Sequence, residues 1–188
     1  MIKKLLLLDI DETLVYSTEN ALERSCDFQV EQYFVYVRPY LDKFLNIGSE
    51  NYDIAIWTSS SELYAEAILA EIIPFNIDLK FVFSREQCTQ KFHESDFTYS
   101  YTKNLKKLKK RGYQLENVLM IDDTPRKLEK NYGNLIIVKE YKGDLDDDEL
   151  IMLSHYLRDI ANEENFRKLE KRYWREKYMN KRYTIKRS

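Results

Sequence analysis

The sequence predicts an α/β fold, in which helices cover both faces of a central parallel sheet. Two observations support this prediction. Leu5 to Leu8 form an unbroken apolar run, which is typical of a strand buried on both faces. Short apolar runs then alternate with segments of helical periodicity along the chain. A length of 188 residues is enough for one such domain with a substantial core.

The elements follow one another in the order that such a sheet requires. Residues 28–37 predict a hairpin or a short insertion before Arg38-Pro39, since proline is favoured in the first turn of a helix. The polar stretch 84–101 predicts an ordered loop over the face where the strands end. Strands are predicted over residues 5–8, 53–57, 79–83, 118–121 and 135–138, and helical segments over 40–47, 62–73, 103–111 and 149–160. Together they predict a three-layer, Rossmann-like domain.

The six residues from Asp9 to Leu14 place two carboxylates and a hydroxyl where the first strand passes into a loop. In extended chain Asp9 and Asp11 point the same way, so one can attack phosphorus while the other handles the proton of the leaving group. The structural alternative is an acidic turn in which Thr13 caps a local segment. Ligands of parallel sheets bind beyond the carboxyl ends of the strands, which favours the catalytic interpretation.

Three further segments downstream of predicted strands carry polar residues that suit phosphate chemistry. They are Thr58-Ser59, Lys103 at the start of a helical segment, and Asp122-Asp123. Taken singly, each has a structural explanation as a helix cap or a surface lysine. Taken in order they supply donors, a cation and carboxylates around one phosphate, as phosphoryl transfer requires. A carboxylate nucleophile must also approach an anionic phosphate, which predicts a magnesium ion at the site.

These motifs resemble the haloacid dehalogenase superfamily, and within it the small C-terminal-domain phosphatases, also called the NLI-interacting-factor-like group. The resemblance covers residues 4 to 160 and rests on motifs of defined order. The matching segments are Asp9 to Val15, Arg38-Pro39-Tyr40-Leu41, Ile56-Trp57-Thr58-Ser59, Phe83 to Cys88, Lys103-Asn104-Leu105 and Ile121 to Pro125. It implies a phosphatase domain over residues 1–162 without a large cap domain.

The resemblance also implies a role for each candidate residue. Asp9 would form an aspartyl-phosphate, and Asp11 would act first as acid and then as base. Magnesium would be bound by the side chains of Asp9 and Asp123 and by the backbone carbonyl of Asp11. Which of Asp122 and Asp123 binds the metal directly is left open. The remaining roles are phosphate binding by Thr58, Ser59 and Lys103, support of the nucleophile loop by Thr13, and orientation of the lysine by Asp122.

The predicted function is magnesium-dependent hydrolysis of phosphomonoesters, with phosphoserine or phosphothreonine in a protein or peptide as the substrate that the resemblance implies. Two alternatives remain. An open site also suits small metabolites or nucleic-acid phosphate ends, and the same scaffold can serve as a non-catalytic binding module. The presence of both Asp9 and Asp11 favours the enzyme.

The last 26 residues differ from the rest of the chain in charge. Residues 163–188 hold ten basic and four acidic residues, whereas residues 1–162 hold twenty basic and twenty-eight acidic ones. Apolar residues near helical spacing predict a basic amphipathic helix that packs on its own domain, with a partner or nucleic-acid surface as the alternative. These residues are Phe166, Leu169, Tyr173, Trp174 and Tyr178.

Composition and segment lengths lead to an expectation about the compartment. Cys26 and Cys88 are the two cysteines, and their spacing indicates neither a disulfide framework nor a zinc site. The first apolar run ends at Asp9, too early for a signal peptide, and no segment is long enough to cross a membrane. We therefore expect a reducing, cytoplasmic location without a membrane partner.

Overall fold

The computed structural model describes residues 4–93 and 97–179 of the chain. The strands are β1 (Leu5–Leu8), β2 (Val15–Thr18), β3 (Phe28–Val30), β4 (Tyr33–Val37), β5 (Asp53–Trp57), β6 (Leu79–Phe83), β7 (Thr89–His93), β8 (Thr98–Thr102), β9 (Val118–Asp122) and β10 (Leu135–Ile137). The α-helices are α1 (Leu41–Ser49), α2 (Glu62–Ile72), α3 (Glu149–Asp159) and α4 (Glu176–Met179). Short 3-10 helices span Arg85–Gln87, Leu105–Arg111, Leu115–Asn117, Pro125–Leu128, Tyr132–Asn134 and Phe166–Lys168.

Strand β1 lies at the centre of a five-stranded parallel sheet with the order β10-β9-β1-β5-β6. Leu8 pairs with Ile56 of β5 on one side and with Ile121 of β9 on the other. The three strands are thus in register and end together. The residues that follow β1, β5 and β9 therefore meet at one edge of the sheet.

The three central strands β1, β5 and β9 are buried on both faces, which explains why their apolar runs do not alternate with polar residues. Leu6 and Leu8 belong to a hydrophobic cluster that includes residues of α1, α2 and α3. Leu5 and Leu7 face the other way and pack in a cluster with Leu105 of a 3-10 segment. The predicted three-layer α/β architecture is confirmed, with 3-10 helices contributing to the second outer layer.

Two small β elements extend from the central sheet. Strands β2, β4 and β3 form an antiparallel sheet, which agrees with the hairpin or insertion predicted for residues 28–37. The expectation of a loop over residues 84–101 is wrong, because β7 and β8 pair as an antiparallel hairpin there. Threonine and aromatic residues recur through this stretch, and they favour extended structure. The described residues contain no large cap domain, as predicted.

The basic C-terminal segment packs against the domain over its described part. Phe166, Trp174 and Tyr178 are buried in the cluster formed with α1 and α3, whereas Tyr173 is 60% exposed. The predicted continuous helix is wrong for residues 163–179, where a 3-10 helix and the four-residue α4 occur. Residues 180–188 lie outside the described part, and the predicted boundary at residue 162 stays a prediction.

No helix in the two described ranges has the length and apolar character to span a bilayer.

A buried ion pair ties the nucleophile loop to the start of α3. Arg38 Nε lies 2.8 Å from Asp147 Oδ1, with side-chain exposures of 0% and 6%. The guanidinium also donates to the carbonyl oxygens of Thr13 (3.0 Å) and Lys139 (2.8 Å). Asp147 in turn accepts the backbone N–H of Glu149. One planar cation therefore holds three separate segments together.

Replacing Asp147 by Asn is expected to lower the free energy of unfolding by about 3 kcal/mol, because the buried Arg38 charge loses its carboxylate. Urea denaturation followed by circular dichroism measures this loss. The matched control is Asp78→Asn, which removes the carboxylate of the exposed Lys80–Asp78 pair and should change stability little. Equal and small effects of both substitutions would contradict the assigned role of the buried pair.

Candidate active site

Asp9 lies directly after β1 and is 1% exposed. Its backbone N–H donates to the carbonyl oxygen of Ile121, which fixes the chain at the end of the strand. Each carboxylate oxygen faces a lysine: Lys103 Nζ lies 2.9 Å from Oδ1, and Lys127 Nζ lies 2.7 Å from Oδ2. Burial alone would favour the neutral acid, but the two ammonium groups outweigh it and lower the pKa of Asp9. The lowered pKa favours the charged carboxylate.

Lys103 is fixed from two directions. Its ammonium group donates to Asp122 Oδ2 at 2.6 Å, and both side chains are fully buried. Its backbone N–H donates to the carbonyl oxygen of Lys127, so the two lysine segments are joined. Asp122 Oδ1 accepts the backbone N–H of Thr124, so each of its oxygens has a donor. Burial and the nearby charge of Asp9 raise the pKa of Asp122.

Asp123 completes a cluster of carboxylates. One oxygen each from Asp9, Asp122 and Asp123 lies within 4.8 Å of the others. Asp123 Oδ2 accepts the hydroxyl of Thr124, whereas the buried Oδ1 receives no hydrogen bond from the described residues. Asp9 Oδ1 likewise receives no hydrogen bond, although Lys103 Nζ lies 2.9 Å away. Converging carboxylate oxygens of this kind are the ligands that a hard divalent cation prefers. The site thus fits the magnesium ion that the resemblance drawn from the sequence implies.

Asp11 lies beside this cluster and is held by hydroxyl groups. Ser60 Oγ donates to its Oδ2 and the Tyr64 hydroxyl donates to its Oδ1, both at 2.6 Å. Ser17 Oγ lies 2.6 Å from the Tyr64 hydroxyl and completes a chain of hydrogen bonds. Burial raises the pKa of Asp11 above its usual range, while the bonds from Ser60 and Tyr64 act in the opposite direction. Two aspartates two residues apart therefore have pKa values that are shifted in opposite directions.

The remaining predicted residues lie on the loops around this edge. Thr58 follows β5 and is fully buried, and its Oγ1 accepts the backbone N–H of Ser60. Ser59 offers its carbonyl oxygen to Arg85 Nε at 2.8 Å. Thr13 is also buried; its backbone N–H donates to the carbonyl oxygen of Ile10, as expected for a residue that shapes the loop. Its hydroxyl, however, has no hydrogen-bond partner among the described residues.

Glu12 adds a further acid beside the cluster. Its φ of 56° lies in the left-handed region, and its N–H donates to the carbonyl oxygen of Val15, which closes the turn after Asp11. Burial, followed by the charges of Asp11 and Asp123, raises the pKa of Glu12 to about 7. The carboxylates around this loop therefore repel one another, and a cation bound among them would reduce that repulsion.

Three residues of the site were missed by the sequence analysis. Lys127 lies four residues after Asp123, a spacing that brings side chains together on a helical turn and could have indicated it. Ser60 lies just before α2, a position where serine usually serves as a helix cap. Tyr64 occupies a position in α2 that carried no signal, since a tyrosine at helical spacing usually packs in a core.

Comparison with known proteins supports the assignment of the fold and identifies the family. The family model of the NLI interacting factor-like phosphatases matches residues 4–167. The Drosophila melanogaster "CTD nuclear envelope phosphatase 1 homolog" is 30% identical over 166 residues, covering 80% of this chain and 65% of the relative. The human "Ubiquitin-like domain-containing CTD phosphatase 1" is 30% identical over 194 residues, covering 96% of this chain and 56% of the relative. The chain thus spans about two thirds or less of the length of these relatives.

Solved structures show the same fold at lower identity. A fission yeast RNA polymerase II CTD phosphatase, Fcp1, bound to beryllium fluoride, aligns with a TM-score of 0.58 at 20% identity, covering 82% of this chain and 45% of that one. A protein described as a haloacid dehalogenase-like hydrolase from Bacteroides fragilis aligns with a TM-score of 0.50 at 11% identity, covering 80% and 93% of the two chains. At these identities the likeness concerns the fold.

The parallel sheet defines an α/β fold of the kind found in a haloacid dehalogenase-like hydrolase. The chain belongs to the NLI interacting factor-like phosphatase family, whose model matches most of its length. The resemblance drawn from the sequence motifs is thereby confirmed.

Replacing Tyr64 by Phe is expected to raise the pKa of Asp11 further, because a hydrogen bond that stabilises the carboxylate is lost and the proton is retained to higher pH. Carbon-13 NMR titration of protein labelled at the aspartate carboxyl carbon measures this shift. Tyr52→Phe is the matched control, since the Tyr52 hydroxyl donates to the Leu157 carbonyl oxygen instead. An unchanged or lower pKa of Asp11 in the Tyr64 variant would exclude the hydrogen bond.

Proposed function

We propose that this chain hydrolyses phosphomonoesters through an aspartyl-phosphate on Asp9, with a protein phosphorylated on serine or threonine as substrate. One observation supports the proposal above all: Asp9 is a buried, charged carboxylate at the carboxyl edge of the sheet, and Asp11 beside it has a raised pKa. A carboxylate nucleophile must be ionised and a general acid must hold a proton. The lowered pKa of Asp9 and the raised pKa of Asp11 meet these two requirements.

The first half of the reaction uses both aspartates. A carboxylate oxygen of Asp9 forms a bond to phosphorus while the bond between phosphorus and the ester oxygen breaks. Asp11 gives its proton to the leaving alkoxide, which departs as the alcohol. Lys103 stays beside Asp9 and neutralises charge on the phosphoryl oxygens, and backbone N–H groups after Thr58 add donors at the same edge.

The second half reverses the role of Asp11. Its carboxylate accepts a proton from a water molecule, whose oxygen attacks phosphorus and releases inorganic phosphate from Asp9. Ser60 and Tyr64 hold the Asp11 side chain in place through hydrogen bonds to its two carboxylate oxygens. The side chain therefore returns to the protonated state in which it began.

A divalent cation, Mg²⁺ by family, would be held by Asp9, the backbone carbonyl of Asp11 and Asp123. Bound there, it would neutralise the repulsion between the Asp9 carboxylate and the phosphate. The donor-free Oδ1 of Asp123 supports its choice as a direct ligand. Asp122 already accepts hydrogen bonds at both oxygens, which supports its role in orienting Lys103.

The relatives support a protein as the substrate. Both relatives are named as CTD phosphatases. The described residues of this chain include no large cap domain over the edge of the sheet. A folded or extended phosphoprotein segment can reach a site of this kind. The predicted cytoplasmic location stays a prediction.

The purified chain is expected to hydrolyse an aryl phosphate and phosphoserine or phosphothreonine peptides in the presence of Mg²⁺, with loss of activity on chelation. Asp9→Asn should abolish turnover, because the amide cannot act as the nucleophile, and Asp78→Asn is the surface control. Released phosphate measures the rates. Turnover confined to nucleotides, nucleic-acid ends or sugar phosphates would contradict the protein substrate. No turnover by a folded, magnesium-loaded chain would favour a binding module.

Replacing Asp11 by Asn is expected to trap the phosphoenzyme. An aryl phosphate has a good leaving group that needs little protonation, so Asp9 can still be phosphorylated, whereas hydrolysis lacks its base and slows by about 10² to 10⁴ fold. Intact-mass spectrometry after rapid acid quench should show the added phosphoryl group, and Asp9→Asn combined with Asp11→Asn should not. Equal hydrolysis rates in the Asp11 variant and the wild type would refute the assigned role.

A further inference from the structure

The acidic cluster already contains a cation that belongs to the chain. Lys127 Nζ lies 2.7 Å from Asp9 Oδ2, 3.7 Å from Asp122 Oδ1 and 3.9 Å from Asp123 Oδ1. It thus reaches all three carboxylates that converge within 4.8 Å. An ammonium group in this place reduces the repulsion among two buried carboxylates and one partly buried carboxylate.

The two lysines of the site are held differently. Lys103 has a side-chain exposure of 0% and is enclosed between Asp9 and Asp122. Lys127 has an exposure of 17%, and its ammonium reaches the cluster from a 3-10 helix at the rim. Lysine has a flexible four-carbon stem. Lys127 can therefore leave the carboxylates by side-chain rotation alone, whereas Lys103 has no comparable route.

We propose that Lys127 is an exchangeable counter-cation that occupies the carboxylate cluster in the metal-free chain and leaves it when a divalent metal binds. The inference rests on the metal site of the proposed function. Asp9 Oδ2 and Asp123 Oδ1 cannot be shared at close range by an ammonium and a divalent cation, since the two positive charges repel each other. Lys127 thereby weakens metal binding and keeps the nucleophile charged and paired until the metal arrives.

The first test measures metal affinity without any substrate. Calorimetric titration with Mg²⁺ is carried out on the full chain of the wild type and of Lys127→Met. Methionine has an unbranched side chain of similar length to that of lysine but carries no charge. We expect the variant to bind Mg²⁺ at least tenfold more tightly, a change equivalent to about 1.4 kcal/mol. Lys130→Met, an exposed lysine just past the same 3-10 helix, is the matched control and should bind as the wild type does.

Equal or weaker Mg²⁺ binding by the Lys127 variant would overturn the proposal. Binding detected only in the variant would support it in its strongest form. Absence of binding in all three proteins would overturn both this inference and the metal requirement, whereas phosphoenzyme formation on Asp9 would still be judged separately by the trapping experiment. The two sets of results thus distinguish failure of the counter-cation from failure of the phosphatase.

A second measurement uses only the wild-type protein, so it does not depend on the folding of a variant. An ammonium paired with carboxylates reacts slowly with an acylating reagent, and a released one reacts faster. Mass spectrometry of peptides should show faster acylation of Lys127 when Mg²⁺ is added, with Lys130 unchanged as the internal reference. An acylation rate of Lys127 that is unaltered or lowered by Mg²⁺ would contradict its release.

Discussion

The site depends on a carboxylate that stays charged although it is buried. Asp9 is taken out of water at the end of the central strand, and such a charge is costly unless it is paired. Lys103 and Lys127 supply the pairing, one at each oxygen. The Asp122 carboxylate in turn fixes Lys103, so each buried charge in this group has a partner of opposite sign. A reactive group is thereby held in one geometry before any ligand arrives.

Parallel register brings the partners to this position. Strands β5 and β9 flank β1 and end level with it, so residues far apart in sequence lie side by side. The Arg38–Asp147 pair adds a second constraint, because the same guanidinium holds the carbonyl oxygen of Thr13 in the nucleophile loop. The guanidinium that holds the loop through a hydrogen bond thus also forms a buried ion pair within the domain.

The contrast between Asp9 and Asp11 shows how one short loop can supply two chemistries. Ammonium groups surround Asp9, whereas hydroxyl groups contact Asp11 and burial dominates its proton affinity. Charge pairing stabilises a carboxylate more than neutral hydrogen bonds do. The difference arises from the neighbouring elements, since α2 provides Tyr64 and the loop before it provides Ser60. Two aspartates in an isolated, solvent-exposed loop would have similar pKa values.

The sequence alone determined the α/β class and the five central strands, because apolar runs are local features. It also offered Asp9, Asp11, Lys103 and Asp122 as candidate site residues, because their motifs are local too, and the structure brings these four side chains to one edge of the sheet. The sequence could not show the β7–β8 hairpin in place of a loop, or the broken C-terminal segment in place of a continuous helix. Only the tertiary structure placed Lys127 on Asp9 and Tyr64 on Asp11. These contacts join residues 118 and 53 positions apart, and such pairings follow from how the elements pack rather than from any local pattern.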